Sequence, residues 1–235
     1  MKKSFLLIAL LLMFGGSMFA QDFDLGIKLG YQTSHLSYEK ADIKSDFLNH
    51  MTFGLFGRIE IGKFYIEPEV LYYKTGDIFE LTAEDLSEGW SLPAGKVTFS
   101  LEESNIQVPL LFGWKFVNLG IVDFRLQGGP TASFTFDRKT VYDETFTLTP
   151  TSGPSQTINP NDSTGLDTKS ILWGLQAGIG VDILKKITVD INYNFGLSSV
   201  FGKLNNTGLG QYFNFNNVDE TKKSTFLVTV GYKLL

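Results

Sequence analysis

Residues 173–197, WGLQAGIGVDILKKITVDINYNFGL, constrain this chain more than any other stretch. At a period of two they divide into two faces. Trp173, Leu175, Ala177, Ile179, Val181 and Ile183 fall on one side, and Gly174, Gln176, Gly178, Gly180 and Asp182 on the other. After the polar turn at Lys185-Lys186 the alternation resumes. Ile187, Val189, Ile191, Tyr193, Phe195 and Leu197 then oppose Thr188, Asp190, Asn192, Asn194 and Gly196. Side chains of a strand point alternately to its two faces, so this pattern is a β-hairpin with one apolar and one polar surface. Each arm has about ten residues, roughly what a tilted strand needs to cross a bilayer. The pattern predicts strands of a membrane-spanning barrel.

The same alternation predicts six more strands, at residues 23–34, 51–60, 64–74, 104–116, 121–136 and 225–234, which brings the total to eight. Their connections carry further information. Those at 61–63, 117–120 and 184–186 are short, whereas those at 35–50, 75–103, 137–169 and 198–224 are long. Short turns at one end and long loops at the other, with an even strand number, is the pattern of bacterial outer-membrane barrels. A soluble sandwich gives no reason for that sorting. The expectation is an all-β chain folded as an eight-stranded antiparallel up-and-down transmembrane β-barrel with short periplasmic turns and long extracellular loops. Both termini would lie in the periplasm of a Gram-negative bacterium.

Residues 1–20 read as a separate unit. Lys2 and Lys3 precede an apolar run at 5–14, and Gly15, Gly16, Ser17 and Ala20 supply small residues before Gln21. This is the layout of a secretory signal peptide cleaved near Ala20, which leaves 21–235 as the barrel domain. Loss of Lys2 and Lys3 takes the formal charge from −5 to −7. A mean hydropathy of +0.03 matches strands in which apolar and polar residues alternate. The sequence contains no cysteine, so disulfides, thiolate metal sites and a cysteine nucleophile are ruled out within it. Its mildly acidic, dispersed charge argues against nucleic acid as a partner.

Aromatic residues on the apolar face sort toward the strand ends. Phe23, Phe64, Trp114, Phe116, Phe124 and Tyr232 fall near the short turns, and Tyr31, Phe53, Tyr72, Phe134, Trp173 and Phe195 near the long loops. Two such girdles around an aliphatic band mark a wall that faces lipid. The opposite face carries Lys28, Arg58, Glu60, Glu67, Glu69, Arg125, Asp182, Asp190 and Lys233. Inside an eight-stranded barrel, which is just wide enough to be filled by side chains, these would form a cluster of paired charges. A narrow pore or proton path through Arg58, Glu67 and Glu69 is the alternative reading of the same residues.

The loops offer weaker signals. His35 and His50 flank the first long connection, near Ser34, Asp42 and Asp46, without the spacing of a known catalytic motif. Asn159, Asn161 and Asp162 suggest calcium, but Thr164 stands where such a loop needs a sharp-turn glycine. No metal and no cofactor is expected. The last loop mixes aromatics with amides, and Tyr212, Phe213 and Phe215 either pack over the barrel mouth or are its candidate recognition residues for a protein or glycan.

Several segments resemble, in order, the PorT-like outer-membrane β-barrel proteins of Bacteroidetes-type bacteria. They are Ala20-Gln21, FYIEPEVLYY at 64–73, IQVPLL at 106–111, Gly128-Gly129-Pro130, DINYNFGL at 190–197 and the closing GYKL at 231–234. The chain departs from such barrels at Leu235, where an aromatic residue is common. The resemblance implies an eight-stranded barrel with a membrane address, and no catalytic residues. The namesake takes part in protein secretion. The functional expectation is a monomeric barrel in outer-membrane lipid, with a filled lumen and a structural or interaction role through its loops or in an envelope complex. The alternatives are a narrow passive pore for small solutes, an outer-membrane enzyme, and a soluble lipocalin-like ligand carrier.

Overall fold

The computed structural model describes residues 23–37, 48–82, 90–91, 96–142, 146–150, 156–158, 169–200 and 222–235. Among these, eleven strands run in chain order: β1 Phe23–Ser37, β2 Leu48–Ile61, β3 Phe64–Thr82, β4 Trp90–Ser91, β5 Lys96–Asn118, β6 Val122–Tyr142, β7 Phe146–Pro150, β8 Gln156–Ile158, β9 Ile171–Ile183, β10 Ile187–Gly196 and β11 Lys222–Lys233. Eight of them close an antiparallel barrel in the order β1-β11-β10-β9-β6-β5-β3-β2. Three short strands, β4, β7 and β8, pair separately within two of the long connections. Closure is made by β1 on β11, from Gly26↔Lys233 to Ser37↔Lys222. It leaves no strand edge with unpaired amides and carbonyls, which is the condition for a sheet to exist in lipid.

The wall is apolar outside and polar inside. Leu29, Leu55, Val70, Leu110, Ile179, Ile191 and Val230 are exposed, while Lys28, Arg58, Glu67, Gln107, Gln176, Asp182 and Asn192 are buried. This is the reverse of a soluble calyx, whose interior is apolar and whose exterior is polar. Aromatic clusters stand at both ends of the wall. Trp114, Phe116 and Phe124 form a chain with ring centroids 6.1 and 6.3 Å apart near the turns, and Tyr72 lies 5.0 Å from Phe53 and 6.0 Å from Phe136 near the loops.

The three turns are tight. Gly62 and Gly120 adopt φ of 64° and 83°, in the left-handed region that glycine enters without a Cβ clash. In the third turn, two residues that carry a Cβ, Leu184 and Lys185, have φ of 53° and 56°. Two successive left-handed residues match the right-handed twist of the flanking strands. The Lys186 amide closes this turn on the Ile183 carbonyl at 3.1 Å.

At the other end the strands outrun the alternating pattern. The stretch 75–103 reads as a loop, yet β3 continues to Thr82 and β5 begins at Lys96, paired Thr82↔Lys96. Likewise β6 continues to Tyr142, opposite Phe99. Backbone pairing needs no alternation. In β5 the two-residue period runs on, with Val97, Phe99 and Leu101 against Thr98, Ser100 and Glu102, whereas adjacent Ile78 and Phe79 break it in β3 while the ladder persists.

Three prolines interrupt the wall in consecutive strand pairs. By register Pro68 faces Gly57, Pro109 faces Glu69 and Pro130 faces Leu110, and each ladder skips those residues. Proline has no amide hydrogen, so each leaves the facing strand short of one donor. The gaps step diagonally across β2, β3, β5 and β6. The ladders of β9 with β10 and of β10 with β11 run without a skip.

Candidate functional site

Inward side chains from seven of the barrel strands meet in one charged layer. Lys28 of β1 places its ammonium 2.7 Å from Glu67 Oε1 and 2.9 Å from Asp190 Oδ2, and also donates to Glu69. The Arg58 guanidinium donates from Nε to Glu67 and from Nη1 to Asp182 Oδ2 at 2.6 Å, across the lumen from β2 to β9. Arg125 of β6 reaches Asp190 Oδ1 at 2.7 Å and Asp182 Oδ1 at 3.1 Å, and donates to the Thr188 hydroxyl. Lys233 closes the layer from β11, 2.6 Å from Asp24 and 3.5 Å from Asp182.

Aromatic rings and amides fill the space between the charges. The guanidinium carbons of Arg58 and Arg125 lie 4.8 and 5.4 Å from the Tyr65 ring centroid, and the Lys28 ammonium 4.9 Å from that of Phe56. These are cation–π distances. The Tyr65 hydroxyl donates to Gln127 Oε1 at 2.8 Å and accepts from Arg125 Nη1 at 2.9 Å, and Gln127 Nε2 donates to Asn192 at 2.8 Å. Glycines opposite the bulky groups make room. A Cβ at Gly113 would collide with the Tyr65 ring, and one at Gly180 with Arg125 and Asp190.

Arg58, Glu67, Arg125 and Asp190 are 0% exposed, so at this level the lumen is filled. Charges so placed are tolerable only when paired and hydrogen-bonded, and each here has at least two partners of opposite sign. The layer lies between two cavities. One of about 670 Å³ opens at the turn end, and one of about 320 Å³ at the loop end, beside His50, Glu103 and Ser104.

All nine charged residues singled out above point inward. Eight belong to the layer, and Glu60 sits just below it toward the turns, 3.7 Å from Lys233. That selection lacks Asp24, Lys115 and Asp123, which share the inward parity of their strands, and Tyr65, whose hydroxyl ties Arg125 to the amides. The signal for each was the same two-residue period. His50 is half-buried and His35 lies in β1, with its backbone opposite Ser224. Asp42, Asp46, the calcium-like segment at 159–165 and the loop residues Tyr212, Phe213 and Phe215 fall outside the described residues. Among the described residues no group of three metal-type side chains comes together.

The family model described as outer membrane protein beta-barrel domain matches residues 19–202. No curated protein sequence matches the chain. Solved structures similar to it include OprG of Pseudomonas aeruginosa, at 12% identity and TM-score 0.45, covering 91% of this chain and 97% of that one. Ail of Yersinia pestis, in complex with the heparin analogue sucrose octasulfate, has 14% identity and TM-score 0.38, over 91% and 99% of the two chains. Neisserial surface protein A has 11% identity and TM-score 0.39, over 89% and 97%.

Proposed function

The chain belongs to the outer membrane protein beta-barrel domain family, and from that membership we propose that it acts through its surfaces, as a sealed barrel with a structural or interaction role. Its place is the Gram-negative outer membrane, in contact with lipid. The observation that carries the proposal is the filled lumen: Arg58, Glu67, Arg125 and Asp190 have no exposure to solvent. A barrel whose interior is occupied by its own ion pairs has its outer loops and wall left for recognition.

A signal peptide is removed near Ala20, the barrel is a monomer, the turns and termini face the periplasm, and the long loops face outward. Tyr212, Phe213 and Phe215 meet a protein or glycan there, and the nine-residue charge cluster serves as a plug. The PorT-like segments support a place in an envelope complex of Bacteroidetes-type bacteria. Because the sequence has no cysteine, the orientation can be tested with single introduced thiols. Ser152→Cys should react with a membrane-impermeant maleimide on intact cells, and Gly62→Cys only after the outer membrane is broken. The reverse pattern contradicts the orientation. Joint replacement of Tyr212, Phe213 and Phe215 by alanine should abolish loop-dependent cross-links on cells while leaving the folded barrel intact, and unchanged cross-links contradict the loop assignment.

A second reading, a narrow pore, has one observation in its favour. A cavity stands at each end of the barrel, with the charged layer and the buried Gln32, Leu71, Gln107 and Gln176 between them. Conductance separates the two readings.

A further inference from the structure

The turn between β2 and β3 carries Lys63, which is exposed. The Lys115 amide donates to the Lys63 carbonyl at 2.8 Å, which fastens this turn to β5 beside Trp114. On the outer wall next to it, a shallow crevice of about 350 Å³ crosses β3, β5 and β6. Phe64, Phe112, Trp114 and Leu126 wall the crevice, and the backbone of Gly113 and Gln127 floors it. The register pairs Phe64↔Trp114 and Trp114↔Leu126 set three of these walls at one level. Gly128 stands opposite Phe112, and Ala177 opposite Gly128 on β9. Neither carries more than a methyl group, so the crevice runs on as a trough toward the middle of the wall.

Charges at this end of the barrel sort by side. Asp24, Glu60, Asp123 and Asp182 turn into the lumen, where Lys115 and Lys233 pair with them. Lys63, and Lys185 and Lys186 of the third turn, are exposed, and among the described residues none of the three has a carboxylate partner. The turns thus present only cations, on a chain whose formal net charge is −5. Beside those lysines the turn tips are apolar: Ile61, Leu119, Ile121 and Leu184 are each more than half exposed. Turns that stand in water are ordinarily polar. Exposed leucine and isoleucine next to lysine fit the headgroup level of a bilayer, where the lysine stem lies on apolar surface and its ammonium meets phosphate.

We propose that this corner of the wall binds one anionic glycerophospholipid, an acyl chain in the trough and the phosphate on the Lys63 ammonium. Both halves of the ligand have a counterpart. The four side chains around the crevice offer an alkyl chain contact and a polar occupant nothing. An ammonium is a compact charge with three donors, which suits the oxygens of a phosphate. A zwitterionic headgroup brings its own cation to that phosphate, so the lysine favours a head with net negative charge. Trp114 stands between the two, an apolar ring with one polar N–H, as aromatic residues of a membrane interface do. The site rests on the lipid-facing wall and is independent of the role proposed for the loops.

Tryptophan quenching in the full chain, refolded in lipid vesicles, tests the site. One reporter keeps Trp114 alone (Trp90→Phe, Trp173→Phe), and the other keeps Trp173 alone (Trp90→Phe, Trp114→Phe), exposed at the loop end of the wall. The vesicles mix phosphatidylcholine with phosphatidylglycerol, and either lipid carries bromine on its chains. Trp114 should favour phosphatidylglycerol by about fivefold, the worth of one lysine at a charged surface. Lys63→Gln or raised salt should bring that preference near parity, and Lys186→Gln, in the turn between β9 and β10, should leave it unchanged. Glycerol 3-phosphate should not displace the lipid, because it leaves the trough empty. Equal quenching by the two lipids, a preference that survives Lys63→Gln, or displacement by glycerol 3-phosphate overturns the proposal. Quenching of Trp173 with Trp114 shielded from both lipids would put a protein, such as a second copy of the chain, on this face and also overturn it. Shielding of both reporters would overturn the lipid-facing wall itself. Should Lys63→Gln not refold, the salt series on the Trp114 reporter decides, and a preference indifferent to salt overturns the assignment.

Discussion

Arg125 shows what a single residue does in this lumen. It ties Asp182 to Asp190, stacks on Tyr65 and anchors the amides beyond, all without contact with solvent. Arg125→Met removes one partner from three buried carboxylates, Glu67, Asp182 and Asp190, so the loss of stability should be about 3–5 kcal/mol in urea titrations of vesicle-inserted protein. Lys63→Met, on an exposed turn, should stay within about 0.5 kcal/mol, and equal effects would contradict the network. At the third turn, Leu184 and Lys185 hold left-handed backbone that costs a residue with a Cβ about 1 kcal/mol or more. Lys185→Gly should therefore stabilise the barrel or leave it unchanged, and a clear loss in the same titration would contradict the turn geometry. The two-residue period assigns a side of the wall to Arg58 and to Asp182, and nothing in it says that they meet. Their contact joins residues 124 apart in sequence. Pairing of that kind depends on barrel closure and strand register, which no local pattern encodes.

Whole strands carry the two-solvent logic of the wall. Ile191, midway along β10 and exposed on its outer face, should tolerate charge poorly. Ile191→Arg is expected to cost about 2–4 kcal/mol, whereas Ile121→Arg, beside a turn, should cost about 0–1 kcal/mol. Comparable costs at both positions would mean that the outer face is not graded by membrane depth. The diagonal line of proline gaps makes a second prediction. Amide exchange should be faster around Gly57, Glu69 and Leu110 than in β10, and uniform protection across the barrel would contradict a weakened seam. Strand identity was legible wherever lipid and lumen impose opposite demands, as in β9 and β10. It was not legible at 75–82, where adjacent Ile78 and Phe79 break the alternation, whereas at 96–103 Val97, Phe99 and Leu101 alternate with Thr98, Ser100 and Glu102 and the strand could have been read on.

For the molecule as a whole, strand count and the sorting of short and long connections fix an up-and-down barrel, and the β1–β11 ladder closes it. The closing strand lies beyond the matched family segment, and the backbone register supplies it. The functional site was legible only in part. Alternation assigns Lys28, Glu67, Glu69 and Asp190 to the polar face, but a continuous pore and a sealed plug share that alternation. The room that Gly113 and Gly180 leave for Tyr65 and Arg125 lies in the packing of the lumen, outside the reach of the pattern. The most direct test of the sealed lumen is single-channel recording in planar bilayers, with insertion verified by the heat-dependent gel shift that closed barrels show in SDS. The native protein should insert without discrete conductance steps. Steady, reproducible steps from the inserted native barrel would contradict the account.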